Sequence, residues 1–183
     1  MKTIKFLFAA LAMTFAMNAS AQDGHFTADL KVGGVAGAGG FGAGVGYQKN
    51  LTEFEGCTLA WDVVNFEFAA PFDSPKYLDL LALKTGLRLF SPSFANDKLR
   101  AYTNLSVGYS CALVKGADAD ILYDEWGDPV GFTIDESMKA KHGFGLTFGV
   151  GVQFKEKFSV GYSLQYETGW KTKCHFATFG YTF

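Results

Sequence analysis

The sequence predicts an all-β fold: a closed, antiparallel, up-and-down β-barrel of about eight strands. Three observations lead there. Segment after segment alternates large apolar with small or polar residues. Phe and Gly are abundant, with 19 and 22 copies against 4 Pro, and the aromatics are spread too evenly for one small core. Beyond Met17 no apolar run approaches the roughly 20 residues that a membrane-spanning helix needs.

The chain starts with a segment of a different kind. Lys2 and Lys5 precede an apolar run from Phe6 to Met17, and Ala19, Ser20 and Ala21 follow. Charge, apolar core and small-residue site in that order are the pattern of a secretory signal peptide. Cleavage is expected between Ala21 and Gln22, giving a leader over 1–21 and one barrel domain over 22–183. Losing the two lysines leaves 14 basic against 18 acidic residues, a formal charge of −4. That balance excludes nucleic acid, which demands clustered positive charge.

Strand side chains alternate faces, so period two reads directly as sidedness. The clearest segment is Lys141–Phe154. Phe144, Leu146, Phe148, Val150, Val152 and Phe154 alternate there with Gly145, Thr147, Gly149, Gly151 and Gln153. Lys155–Lys157 then reads as a tight turn into Phe158–Gly169, where Phe158, Val160, Tyr162, Leu164 and Tyr166 repeat the pattern. Working outward gives Ala28–Ala36, Gly40–Gln48, Cys57–Phe68, Lys76–Phe90, Leu99–Ala112 and a last segment, Lys173–Phe183. The third is irregular. Leu59, Trp61 and Val63 are in phase, whereas Phe66 and Phe68 are not, which predicts a bulge near Val64.

The interior of an eight-stranded barrel is just wide enough for side chains to fill. Large apolar residues in this number point outward, and hydrocarbon must meet them. With both termini on the periplasmic side, 49–56, 91–98 and 155–157 are periplasmic turns. The connections 37–39, 70–75, 113–140 and 170–172 then face outward. Aromatics near segment ends, namely Tyr47, Tyr77, Phe90, Tyr109, Phe154, Phe158, Tyr166 and Trp170, suit a membrane interface or reflect strand propensity.

Parity turns a charged set toward the lumen: Asp29, Lys31, Asp62, Lys84, Arg88, Arg100 and Glu167. Charges so confined must pair. The expected role is a structural network that plugs the barrel, and the rival is an ion path. The connection 113–140 carries Asp118, Asp120, Asp124, Glu125, Asp128, Asp135 and Glu136 among alternating apolar residues. A protruding hairpin is expected there, turning at Trp126-Gly127-Asp128-Pro129. Its acids lack calcium-loop spacing and read as solvation, while its edge offers a strand to a surface partner.

Other motifs carry less. Gly37-Ala38-Gly39-Gly40-Phe41-Gly42 matches a dinucleotide loop in letters, but no helix follows to receive a phosphate. Cys57, Cys111 and Cys174 are odd in number and read as small apolar strand residues rather than a disulfide framework. His25, His142 and His175 show neither metal-ligand spacing nor a neighbouring serine nucleophile, so no metal, cofactor or catalytic residue is expected. A lipid-modifying enzyme with a triad gathered from separate strands is the remaining catalytic alternative.

The chain ends Phe179-Gly180-Tyr181-Thr182-Phe183. A terminal Phe preceded by alternate aromatics resembles the C-terminal assembly signal of bacterial outer-membrane barrels. With the leader and the eight segments, residues 22–183 resemble the small eight-stranded outer-membrane proteins of the OmpX and OmpA-barrel type. That resemblance implies a transmembrane barrel in outer-membrane lipid, with Phe179, Tyr181 and Phe183 read by the barrel assembly machinery. Its motifs are patterns rather than catalytic fingerprints, so it speaks to fold far more than to function; the role expected is non-enzymatic, structural or surface-interacting, with a narrow channel for ions or small solutes as the alternative.

Overall fold

The computed structural model describes residues 24–72, 77–96, 98–123, 129–169 and 171–183. Eight strands follow in chain order: β1 Gly24–Val35, β2 Ala38–Phe54, β3 Cys57–Pro71, β4 Tyr77–Phe90, β5 Leu99–Tyr123, β6 Pro129–Phe154, β7 Phe158–Glu167 and β8 Thr172–Thr182. Each pairs antiparallel with its neighbours, and β1 closes on β8 from Thr27↔Thr182 to Val35↔Cys174, so the sheet is a closed barrel. The expected leader, Lys76, the turn residues Trp126–Asp128 and Trp170 lie outside the described residues.

The connections correct two expectations. The first, anticipated at 37–39, is a two-residue turn at Ala36–Gly37, with φ of 53° and 86°. Positive φ at both positions is what a tight right-twisted hairpin needs, and Gly37 takes it without strain. The stretch 49–56 is not an eight-residue turn. Strand β2 runs on to Phe54, and only Glu55–Gly56 turn. A register shift between Asn50 and Thr52 breaks the alternation there, which hides the strand from a period-two reading.

In β3 the ladder to β4 jumps from Asp62↔Gly86 to Asn65↔Lys84, so Val63 and Val64 together face Thr85. This is the bulge expected near Val64. Its freed backbone is satisfied locally: the Thr85 hydroxyl donates to the Asp62 carbonyl (3.0 Å) and accepts from Trp61 Nε1 (2.9 Å). A bulge carbonyl left without a ladder partner is costly unless a side chain pairs it.

Strands β5 and β6 outrun the barrel. The β4 ladder on β5 ends at Tyr77↔Val114 and the β6 ladder on β7 at Gly145↔Glu167, while β5 and β6 stay paired out to Tyr123↔Pro129. The connection 113–140 is therefore mostly a protruding two-stranded hairpin. The barrel end that carries it is the hairpin end. The opposite end carries the chain termini.

Burial follows parity. Leu30 is 64% exposed and Phe144 66%, whereas Lys84 is 2% exposed and Glu167 fully buried. The exterior is an apolar belt of Leu, Val, Phe and Tyr. The interior is not uniformly polar, however. At the hairpin end Val35, Ala69, Leu80, Ala112, Val114, Cys174 and Phe176 form a buried apolar cluster. Phe90, expected at the interface, is instead 1% exposed inside the barrel, because it shares parity with Lys84 and Arg88. A lumen this narrow must be filled along its whole length, and at the hairpin end apolar side chains fill it.

Candidate functional site in the lumen

Glu67 stands at the centre of the interior. The bulge at Val63–Val64 resets the phase of β3, so Phe66 and Phe68 flank Glu67 on the outer face and its carboxylate points inward. Lys31 from β1 reaches Oε1 at 2.8 Å, and Lys84 from β4 reaches Oε2 at 3.1 Å. Asn65 Nδ2 and Gln165 Nε2 also donate to it, at 3.0 and 2.7 Å. Lys84 spends its three donors on Glu67, on Glu167 Oε1 (3.3 Å) and on Thr147 Oγ1 (2.8 Å). Lys31 also faces Asp29 Oδ2 at 3.5 Å. Five charges from β1, β3, β4 and β7 thus cross-brace the barrel at one level.

A second pair lies nearer the terminus end. Arg88 meets Asp62 Oδ2 at 3.2 Å and stands over the Tyr102 ring at 5.2 Å, while Gln48 donates to Asp62 Oδ1 at 2.8 Å. Arg100 belongs to neither group. Its Nε donates to Gln153 Oε1 (2.8 Å), its Nη1 lies 3.6 Å from exposed Glu156, and its guanidinium covers Phe90 at 4.1 Å. Of the seven lumen charges expected from parity, all face inward. Asp29, Lys31, Lys84 and Glu167 come together, Asp62 and Arg88 form their own pair, and Arg100 stands apart.

Sequence reasoning missed Glu67. The signal was present, since the out-of-phase Phe66 and Phe68 require the residue between them to face the lumen. The alternation placed Thr147, Gln153 and Gln165 on the inward face, but neither they nor Gln48 and Asn65 were singled out as members of the network.

The glycines of the alternating pattern make room for these side chains. A Cβ on Gly145 would sit 2.5 Å from Glu167 Oε2, and one on Gly161 would sit 2.4 Å from Tyr102 Oη. Beside the network is a polar cavity of about 50 Å³, lined by Asp29, Asn65, Arg88, Tyr102, Asn104 and Ser163 among others. Among the described residues, Asp29 Oδ2, Asn65 Oδ1, Arg88 Nε and Ser163 Oγ have no hydrogen-bond partner. Such a volume suits roughly three or four waters and no organic ligand.

The other candidates are dispersed. All three cysteines are free thiols, with Cys174 inside the apolar cluster. His142 is exposed and hydrogen-bonds Tyr109, and His175 is exposed beside Tyr162. No cluster of three metal-ligating side chains occurs among the described residues. At the C-terminus, Phe179 and Phe183 are exposed on the outer face, and Tyr181 packs edge-on against Phe158 and Phe183.

No family model and no curated protein matches the chain. Solved structures do match. Neisserial surface protein A aligns with a TM-score of 0.59 at 13% identity, over 87% of this chain and 95% of that one. The chain has the fold of the eight-stranded outer-membrane β-barrels. Two further barrels match at lower score. The N-terminal β-barrel domain of Pseudomonas aeruginosa OprF gives 0.47 at 15% identity, and Ail of Yersinia pestis gives 0.48 at 14%, each over 88% of this chain and 98% of that one. In a barrel of this fold the ion network fills the space that larger barrels leave open to water.

Proposed function

We propose that this chain is an integral protein of the outer membrane of a Gram-negative-type bacterium. It is exported by a leader over residues 1–21 and has a non-enzymatic, structural or surface-interaction role. One observation carries the reading: polarity is inverted, with an exposed belt of Leu30, Leu105, Phe144, Val160 and Phe179 around buried Lys31, Glu67, Lys84 and Glu167. Water cannot be the solvent of such a belt at reasonable cost, whereas hydrocarbon is. Phe179, Tyr181 and Phe183 serve the barrel assembly machinery during insertion. The barrel then anchors the β5–β6 hairpin beyond the membrane, where each strand keeps one edge outside the barrel ladders. An extended segment of a surface partner adds to such an edge by main-chain pairing. No nucleic acid and no cofactor enters this reading.

A narrow channel for ions or small solutes is the second reading, favoured by the polar cavity beside Asp29 and Arg88. Against it stand the cross-braced charges and the apolar cluster at the hairpin end. The test is expression with the leader in a Gram-negative host, followed by membrane fractionation and N-terminal sequencing. The expected product starts at Gln22, fractionates with the outer membrane, and runs as a faster band when unheated. Recovery of folded, monodisperse protein from buffer without detergent would overturn the reading.

A further inference from the structure

The central level of the lumen is not neutral. Asp29, Glu67 and Glu167 bring three carboxylates, and Lys31 and Lys84 bring two ammonium groups, an excess of one negative charge. Arg88 and Arg100 do not remove it, because Asp62 and Glu156 answer them. An interior charge without a counter-charge is costly.

The excess coincides with oxygens that lack partners. Asp29 Oδ2 lies 3.5 Å from Lys31 and accepts no hydrogen bond among the described residues. Asn65 commits its Nδ2 to Glu67 at 3.0 Å, which turns Oδ1 away as an unpartnered acceptor. Ser163 Oγ, on a residue 6% exposed, is unpartnered as well. All three residues line the polar cavity, which extends from Glu67 and Thr147 to Thr27 and Thr182. Thr27↔Thr182 ends the β1–β8 ladder at the terminus end, so the cavity is reached from that side while the apolar cluster closes the other.

Two glycines set these oxygens over β2. A Cβ on Gly44 would fall 2.8 Å from Asp29 Oδ2, and one on Gly46 would fall 3.3 Å from Asn65 Oδ1. Those two inward positions are about 7 Å apart along the strand, a gap that one ion and its water ligands span. One charged and two neutral oxygens are ligands for a hard cation. A monovalent ion cancels the excess charge. A divalent ion would replace one excess negative charge by one excess positive charge, beside Lys31. Arg88 Nε faces the same cavity as an unpartnered donor, and water serves it.

We infer that the lumen binds one monovalent alkali cation of sodium size through Asp29 Oδ2, Asn65 Oδ1, Ser163 Oγ and water. The ion takes the place of one of the waters that the cavity suits. The inference stands on the lumen geometry and goes beyond the export and surface role proposed above. The test uses the folded protein in uncharged detergent micelles, with sodium chloride replaced stepwise by choline chloride at constant ionic strength. The unfolding equilibrium constant in urea is expected to fall about tenfold for each tenfold rise in sodium above the binding midpoint, as uptake of one ion by the folded state requires. Asp29→Asn removes the excess charge and the charged ligand, and the same rise then changes the constant by less than about twofold. Ser163→Ala moves the binding midpoint to sodium at least about threefold higher. Glu156→Gln, at an exposed acid, leaves the midpoint within about twofold of the parent's. Sodium NMR reads occupancy without any variant: folded parent broadens the resonance, potassium reverses the broadening and choline does not. A parent indifferent to sodium in both measurements, an Asp29→Asn variant as responsive as the parent, or an equal loss of response in Glu156→Gln would each overturn the inference.

Discussion

Glu67 on β3 and Lys84 on β4 meet inside the barrel at 3.1 Å, and neither has an alternative in water. Each completes the other's neutralisation, since Glu67 also holds Lys31 and Lys84 also holds Glu167. Removing one member leaves buried charge unpaired, which costs about 3–5 kcal/mol. Glu67→Ala is therefore expected to lose most of the barrel's stability, read as the urea midpoint of unfolding from lipid vesicles. Lys84→Met alone should be comparably harmful. The two together should cost clearly less than their sum, because the second change removes a charge that the first left stranded.

Arg88 and Asp62 form a smaller, separable unit. Arg88→Ala leaves Asp62 with Gln48 as its remaining side-chain partner and removes the cation from the Tyr102 ring. The expected loss is about 2–3 kcal/mol, below that of Glu67→Ala. Planar-bilayer recordings should show no stable conductance in the parent or this variant, because the five-charge level and the apolar cluster still fill the lumen. An unchanged unfolding midpoint with new conductance would favour the channel reading.

The strand count, the inward parity of seven charges and the bulge were legible because alternation is a local signal that survives in one sequence. Three features were not. Val35, Leu80 and Phe176 fill the lumen with residues whose chemistry resembles the outer face, so parity is informative there only once the ring is closed. Phe90 looked like an interface aromatic because position along a strand does not tell which side a ring takes. The β2 extension to Phe54 was masked by the shift at Asn50–Thr52. Glu67 is a different case: its phase was readable, and the irregular third segment drew attention to the apolar residues around it. Which charges pair depends on cross-lumen distances, and no sequence spacing reports these.

Gly145 tests whether small residues are set by packing. Its absent Cβ is the space that Glu167 occupies, and Glu167 cannot move aside because it is fully buried and held by Lys84. Gly145→Ala is expected to cost about 1–3 kcal/mol from overpacking. Gly37→Ala, at a turn with nothing within 4 Å of the new atom, is strained by its φ of +86° alone and should cost about 1 kcal/mol. Parallel urea titrations compare the two. A larger effect at Gly37 would contradict the packing explanation.

Thr85 faces outward within the apolar belt, where a hydroxyl has no obvious place. Its position is explained by the bulge. Val63 and Val64 share one partner, and the Asp62 carbonyl takes its hydrogen bond from Thr85 Oγ1, which also accepts from Trp61. Thr85→Val keeps the shape and raises the hydrophobicity, so a purely apolar wall would gain from it. The opposite is expected, a loss of about 1–3 kcal/mol, because a carbonyl and an indole N–H are left unpaired in the apolar belt. Trp61→Phe in the Thr85→Val background removes one of those two orphaned groups and should recover part of the loss. The same substitution in the parent leaves the Thr85 donation intact and should be the milder single change. If Thr85→Val instead raised the unfolding midpoint, the hydroxyl would have no part in satisfying the bulge, and the wall would be held by its side-chain burial alone.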